Sequence, residues 1–274
     1  MAFKNLLLAF SGEAAFASSL AHAIKLAQHH DAWLTAIMRN GRSFLDRHGG
    51  GLPPSLRSQL RAVDEEGVRA AQNQFETAVA EAGLCEKATF MTPDRLGKGL
   101  PSEVARHYDL VITGFVSNLA GEEHHVARAD QIALHGGRPV LVVPQGYVAP
   151  ALADHVLVAW DGTRAAARAL GDAMNIIEGK REVTILTVGT PSEPDFADGG
   201  LLIHLSRHGI TARHLHRAPR ASGIASVIED VADEVGARLI VMGAFEHGKL
   251  SQDMFGGVTR DVLHTARVPV FMSH

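Results

Sequence analysis

The sequence predicts an α/β protein: two tandem doubly wound parallel sheets of five strands each, order 3-2-1-4-5, flanked by helices. Three observations predict it. The first is an internal repeat. "NLLLAFSGEAAFASSLAHAIKLA" from Asn5 and "HVLVAWDGTRAAARALGDAMNII" from His155 share one pattern: an apolar run, a small polar turn with Gly, then an Ala-rich helical stretch. "DLVITGF" (Asp109–Phe115) matches "RLIVMGAF" (Arg238–Phe245), and "RPVLVVP" (Arg138–Pro144) matches "VPVFMSH" (Val268–His274), in the same order. The second observation is that runs such as "HVLVAW" are continuous and rich in β-branched residues, the mark of strands covered on both faces. The third is their alternation with helical patterns of roughly 10–15 residues, which implies parallel strands joined by crossover helices.

Each half reads as strand, helix, strand, helix, strand, helix, strand, helix, strand. In the second half the strands fall at Val156–Trp160, Val183–Val188, Thr211–His216, Leu239–Met242 and Val270–Met272. Its helices fall at Thr163–Glu178, Phe196–Arg207, Gly223–Val235 and Gly257–Thr265. The offset between matching landmarks shrinks from 150 to about 130, so the first half carries roughly 20 extra residues. The Gly/Pro-rich stretch Asn40–Ser55 is the expected place for them. Pro144–His155 reads as a linker, which gives domains 1–149 and 150–274. The final strand of each half is an apolar edge, and such edges invite pairing, within one chain or in a homodimer.

Composition narrows the function classes. The chain has 274 residues, 46% hydrophobic and 20% charged, with a net charge of −4. No block of Lys and Arg stands out, so nucleic-acid binding has little electrostatic support. No stretch approaches the ~18 apolar residues of a membrane span. The single cysteine, Cys85, excludes an intrachain disulfide and fits a reducing compartment. A soluble cytoplasmic protein is the expectation. Cys85 is expected to be a buried structural thiol, and Trp33 and Trp160 to pack in the core.

In open α/β sheets ligands sit at the carboxyl ends of strands, where strand order reverses. In the second half that crevice lies between the first and fourth strands. Two unusual turns converge there: Asp161-Gly162, and the glycine-rich stretch "MGAFEHGKLSQDMFGGVTRDVL" (Met242–Leu263). Gly256 and Gly257 open a helix, whose first N–H groups have no intrahelical acceptor and suit an anion.

These residues resemble the universal stress protein family, specifically its tandem two-domain members, over nearly the whole chain. Nucleotide-binding members carry an Asp at the end of the first strand and a motif G-x2-G-x9-G-[S/T] after the fourth. The resemblance implies ATP or AMP in the second domain only, with Mg only alongside the nucleotide and no dedicated metal site. Asp161 matches the strand-end Asp, which faces the adenine end of the ligand, and Gly243 and Gly256 match the first and third glycines. Glu246 stands where the second glycine belongs and Gly257 at the hydroxyl position, with Val258 and Thr259 following. Ala159, Val188 and Met242 complete the implied binding set. Glu246 would repel phosphates, and Thr259 would replace the hydroxyl missing at Gly257. In the first half Ser11 replaces the Asp, and the acidic Glu122 and Glu123 follow Gly114 with no glycine pair, so that half is expected not to bind nucleotide.

Other chemistry is poorly supported. Phe10–Ser19 is distantly similar to the S-G-G-x-D-S loop of ATP pyrophosphatases but lacks its second Gly and its Asp. His204 and His208 share a helix face, and His214 and His216 alternate on a strand, but no HExxH or CxxC accompanies them. No catalytic constellation is present, so slow ATP hydrolysis is the most that is expected. The alternative is an interaction scaffold that binds no nucleotide.

Overall fold

The computed structural model describes residues 2–10, 13–38, 53–92, 95, 100–115, 129–148, 152, 154–178, 180, 182–189, 200–244 and 257–274. In the first half the elements are β1 (Asn5–Ala9), α1 (Glu13–His30), β2 (Trp33–Ile37), α2 (Pro54–Glu81), β3 (Ala88–Met91), α3 (Pro101–Ala105), β4 (Leu110–Gly114), α4 (Ala129–Gly136) and β5 (Val140–Val143). The second half runs β6 (His155–Ala159), α5 (Arg164–Ile177), β7 (Glu182–Val188), α6 (Gly200–Arg207), β8 (Ala212–Arg217), α7 (Ile224–Val235), β9 (Leu239–Gly243), α8 (Gly257–Thr265) and β10 (Val270–Ser273).

All ten strands join one sheet, in the order β3-β2-β1-β4-β5-β10-β9-β6-β7-β8. Each half is thus a 3-2-1-4-5 parallel sheet, as expected, and the second-half strands begin and end within a residue of their expected bounds. The halves meet through their last strands. β5 and β10 pair antiparallel, with Val142 opposite Val270, Leu141 opposite Phe271 and Val140 opposite Met272. All four residues of each strand are buried. The apolar edges predicted to pair are therefore spent on each other inside one chain.

The cores are continuous across this seam. On one face of the sheet, Phe16 and Leu20 of α1, Phe75 of α2, Ala169 and Leu170 of α5 and Leu205 of α6 belong to one buried cluster. On the other, Ala105 of α3, Ile132 of α4, Ile228 of α7 and Val262 of α8 belong to a second. Phe115, just after β4, meets His264 of α8 edge-on at 4.7 Å, which adds a contact between the halves.

Two expectations need correcting. The Gly/Pro-rich stretch 40–55, expected to hold the extra residues of the first half, lies almost wholly outside the described residues; the β2–β3 connection carries α2 of 28 residues, against 8 described in its counterpart α6. Cys85 is exposed. It sits in a short 3-10 turn with no buried residue, between the end of α2 and β3. Trp33 is 54% exposed, because it opens β2 where the strand emerges from the layers; only Trp160 is buried. The residues between Pro144 and Val148 are more than a tether, since Gly146 N–H donates to Ser18 Oγ of α1 at 2.9 Å. The expected boundary at residue 149 lies outside the described residues.

Candidate functional site

The site begins with the crossing of chain directions at the carboxyl ends of β6 and β9, which are adjacent, with Ala159 opposite Met242. From β6 the chain turns into α5 on one face of the sheet, and α8 packs on the other. The strand ends are therefore parted above the sheet edge. A cavity of about 320 Å³ opens there, walled by Ala159, Trp160 and Asp161 from the end of β6 and by Leu186 and Val188 of β7. Met242 and Gly243 of β9 and the first turn of α8, Gly257, Val258 and Thr259, complete one side.

The turn after β6 is held by side-chain geometry. Gly162 adopts φ +74°, a conformation L side chains avoid. Asp161 Oδ1 then accepts both from Thr163 N–H at 3.0 Å and from the Thr163 hydroxyl at 2.6 Å. That hydroxyl in turn accepts from Ala166 N–H at 3.2 Å and so caps α5. Because both bonds to Asp161 use Oδ1, this turn does not commit Oδ2. The carboxylate is exposed, and it is fixed at the cavity rim by its neighbour rather than free to rotate.

Gly243 has a different reason to be glycine. A Cβ built on it would stand 2.6 Å from Ala166 N and 2.9 Å from Ala165 Cβ. The end of β9 thus lies directly against the start of α5, and a side chain there would push the helix away. Gly257 is open among the described residues: none lies within 4 Å of a Cβ built there. Thr259 is buried in the first turn of α8. The last residues of the chain brace this corner, with Ala244 N–H donating to Ser273 O at 2.9 Å and His274 Nδ1 2.8 Å from Ala244 O.

Eight of the ten residues expected from the sequence, Ala159, Asp161, Val188, Met242, Gly243, Gly257, Val258 and Thr259, line this one cavity. The other two, Glu246 and Gly256, lie outside the described residues, as do Ser11, Glu122 and Glu123 of the first half. Sequence reasoning missed Thr163, Ala165, Leu186, Ile224 and Ile228. Thr163 had a signal, since an Asp-Gly-Thr turn before a helix is a recognisable side-chain-capped turn. Ile224 and Ile228 share a face of α7 by their spacing of four, but only the fold brings that face to the strand ends.

The histidines considered as metal ligands find other roles. The rings of His204 and His208 lie 4.9 Å apart along α6, and His214 Nε2 meets Thr187 Oγ1 at 3.2 Å. Among the described residues no three His, Cys, Asp or Glu side chains gather as a metal site. No described helix is long and apolar enough to cross a membrane.

Comparison with known proteins agrees with this fold. Residues 153–274 match the model of the Universal stress protein family. A universal stress protein from Archaeoglobus fulgidus superposes over 98% of this chain and 96% of its own, with 18% identity and a TM-score of 0.73. A protein from Pseudomonas aeruginosa assigned to the same family covers 99% of this chain and 93% of its own, with 15% identity and a TM-score of 0.59. At these identities the two structures attest the fold, a tandem arrangement included. No curated protein matches the sequence. The family match falls on the half that holds the cavity, and it is residues 153–274 that are similar to the Universal stress protein family.

Proposed function

We propose that this is a stress-response protein whose second domain, residues 150–274, binds an adenine nucleotide, ATP or AMP, in the cavity between β6 and β9. The first domain, 1–149, is a structural or regulatory partner that binds none. The observation that carries the reading is the convergence of a braced carboxylate, Asp161, and an unblocked helix start at Gly257 on one cavity of about 320 Å³. The apolar walls, Val188, Ile224, Ile228 and Met242, suit a flat base. Asp161 suits the hydrogen-bonding groups of a nucleoside, and the first turn of α8 suits a phosphate. Mg enters only as the companion of a polyphosphate.

The test is direct. Protein purified without added nucleotide is denatured in acid and the supernatant analysed for adenine nucleotides, and the emptied protein is titrated with ATP and AMP. Binding of either at one site per chain, lost in Asp161→Ala, supports the reading. No nucleotide released and none bound overturns it.

The scaffold reading has one specific observation in its favour. Gly243, the first glycine of the nucleotide motif, is required by the packing of α5 whether or not a ligand is present. Its occurrence therefore does not count for nucleotide, and the case rests on Asp161 and the start of α8.

A further inference from the structure

The carboxyl-terminal parts of α1 and α5, one from each half of the chain, converge on the same face of the sheet. Between them lies a cavity of about 50 Å³. Arg238 fixes its place. The Arg238 N–H donates to His155 O at 3.0 Å, at the amino ends of β6 and β9, whereas the larger cavity opens at their carboxyl ends. Five residues of strand, roughly 16 Å, separate the two.

The lining is basic and comes from both halves. His22, His29 and His30 belong to α1; Asn175 belongs to α5, Lys180 to the turn after it and Arg238 to the approach to β9. Among the described lining residues Glu178 is the acid, and it is exposed and lies 3.8 Å from His208. Basic residues at a helix end often serve the helix itself. Lys4 does so here, its ammonium donating to His30 O at 3.1 Å and to Asp31 O at 3.3 Å. Lys180 and Arg238 do not: among the described residues neither side chain has a hydrogen bond or an ion pair, and the Asn175 amide has none either. Lys180 is half-buried, and Asp154 acts on it through its field alone. The field at the two buried histidines is positive. His30 feels His29, Lys180, Lys4 and the amino terminus, and His22 feels Lys25, with no acid opposing at either.

Partly buried cations without acidic partners are stabilised by an anion. The space decides its size. A water needs roughly 10–15 Å³, so the cavity holds about four water-sized atoms, the four oxygens of one tetrahedral oxyanion; a nucleoside does not fit. We propose that this cavity binds one small tetrahedral oxyanion, inorganic phosphate or sulfate, as a bridge between the two halves of the chain. Lys180 and Arg238 supply the charge, and the Asn175 amide and the rings of His29 and His30 supply N–H donors from either side. The site is separate from the larger cavity and does not depend on nucleotide binding there.

Equilibrium dialysis of the full chain against radiolabelled inorganic phosphate, at fixed ionic strength, tests this. One phosphate per chain is expected, displaced by sulfate and not by AMP. Lys180→Gln and Arg238→Gln should each weaken binding about tenfold or more, as loss of a charge-assisted contact does. Phosphate should also raise the unfolding temperature of the wild type more than that of the double variant. Circular dichroism without phosphate establishes that each variant is folded; Arg238 is exposed, so its replacement leaves the core intact. No phosphate bound at tens of millimolar would overturn the proposal. So would an affinity indifferent to both substitutions, or displacement by AMP, which would assign the anion to the start of α8 instead.

Discussion

The Thr163 hydroxyl links two functions within one turn: it donates to Asp161 Oδ1 at 2.6 Å and accepts from Ala166 N–H at 3.2 Å. One oxygen therefore both orients the carboxylate at the cavity and caps the helix behind it. Thr163→Val keeps the shape and removes both bonds. Thermal or denaturant unfolding should show a loss of about 1 kcal/mol, the usual worth of a helix cap.

Nucleotide titration should separate the roles further. Asp161→Ala should weaken binding by the ~1–3 kcal/mol of a hydrogen bond to a charged group. Thr163→Val should weaken it less, since the carboxylate remains and is held only by the backbone N–H of residue 163. Ser11→Ala, in the first half, should leave binding unchanged. Equal losses for Asp161→Ala and Ser11→Ala by calorimetry would refute a site confined to the second domain.

Gly243 and Gly257 look alike in the sequence and behave oppositely in the structure. Gly243→Ala puts a methyl 2.6 Å from Ala166 N, a backbone atom of a packed helix that cannot swing aside. The expected cost is about 1–3 kcal/mol, as for other overpacked sites. Gly257→Ser meets none of the described residues within 4 Å. It should leave the melting temperature nearly unchanged and, by adding a hydroxyl at the start of α8, tighten ATP and AMP binding alike.

This contrast shows where the sequence is legible. The repeat, the apolar runs and the glycine-rich turns specify strands and crossovers locally, so both sheets can be read from them; the strand order comes with the doubly wound fold that the family resemblance implies. Asp161 and the start of α8 are legible for the same reason, since turn residues declare themselves. What the sequence hides depends on distant parts of the chain. The close approach of α5 to Gly243 is one case, the arrival of Ile224 and Ile228 at the cavity another. Cys85 and Trp33 mislead because residue type reports average burial, whereas these two positions lie at a short turn and at the start of a strand.

Acid should loosen the seam between the halves. His22 of α1 lies buried beside Tyr147, with Nδ1 lacking a hydrogen-bond partner among the described residues. Burial, assisted by the charge of Lys25, pushes its pKa down to about 4. His30, near the end of the same helix, is pushed down to about 4 by burial, then by His29, Lys180, Lys4 and the amino terminus. A folded-state pKa below the unfolded value means that the unfolded chain takes up the proton first. Stability is full above about pH 6.5 and falls as pH drops towards 4, by at most about 3 kcal/mol for His22. Glu229, whose pKa burial raises, acts with the opposite sign by favouring the fold at low pH, so the wild-type slope is a net one. His22→Leu removes a buried polar atom without a partner and the proton it would take up. Its denaturation free energy should therefore fall less steeply between pH 6.5 and 4 than that of the wild type. An unchanged slope would assign the acid sensitivity elsewhere.

The antiparallel pairing of β5 with β10 predicts the outcome of cutting the chain between Pro144 and His155. The cut removes no ladder bond: Val142–Val270, Leu141–Phe271 and Val140–Met272 all lie outside it. The two buried clusters also cross the seam, with Leu141 and Phe271 in one and Val140, Val142 and Met272 in the other. Apolar surface removed from water contributes about 25 cal/mol per Å², so side chains of this size on both faces of the sheet hold the halves together without the covalent link. A specific protease site placed at residues 149–153 should therefore yield two fragments that co-elute on gel filtration at the size of the intact chain. Either fragment made alone exposes an apolar edge strand, four buried residues long in each case, and should aggregate or pair with itself. Two fragments that separate after cleavage and remain soluble would show that the halves are independent domains held only by the linker.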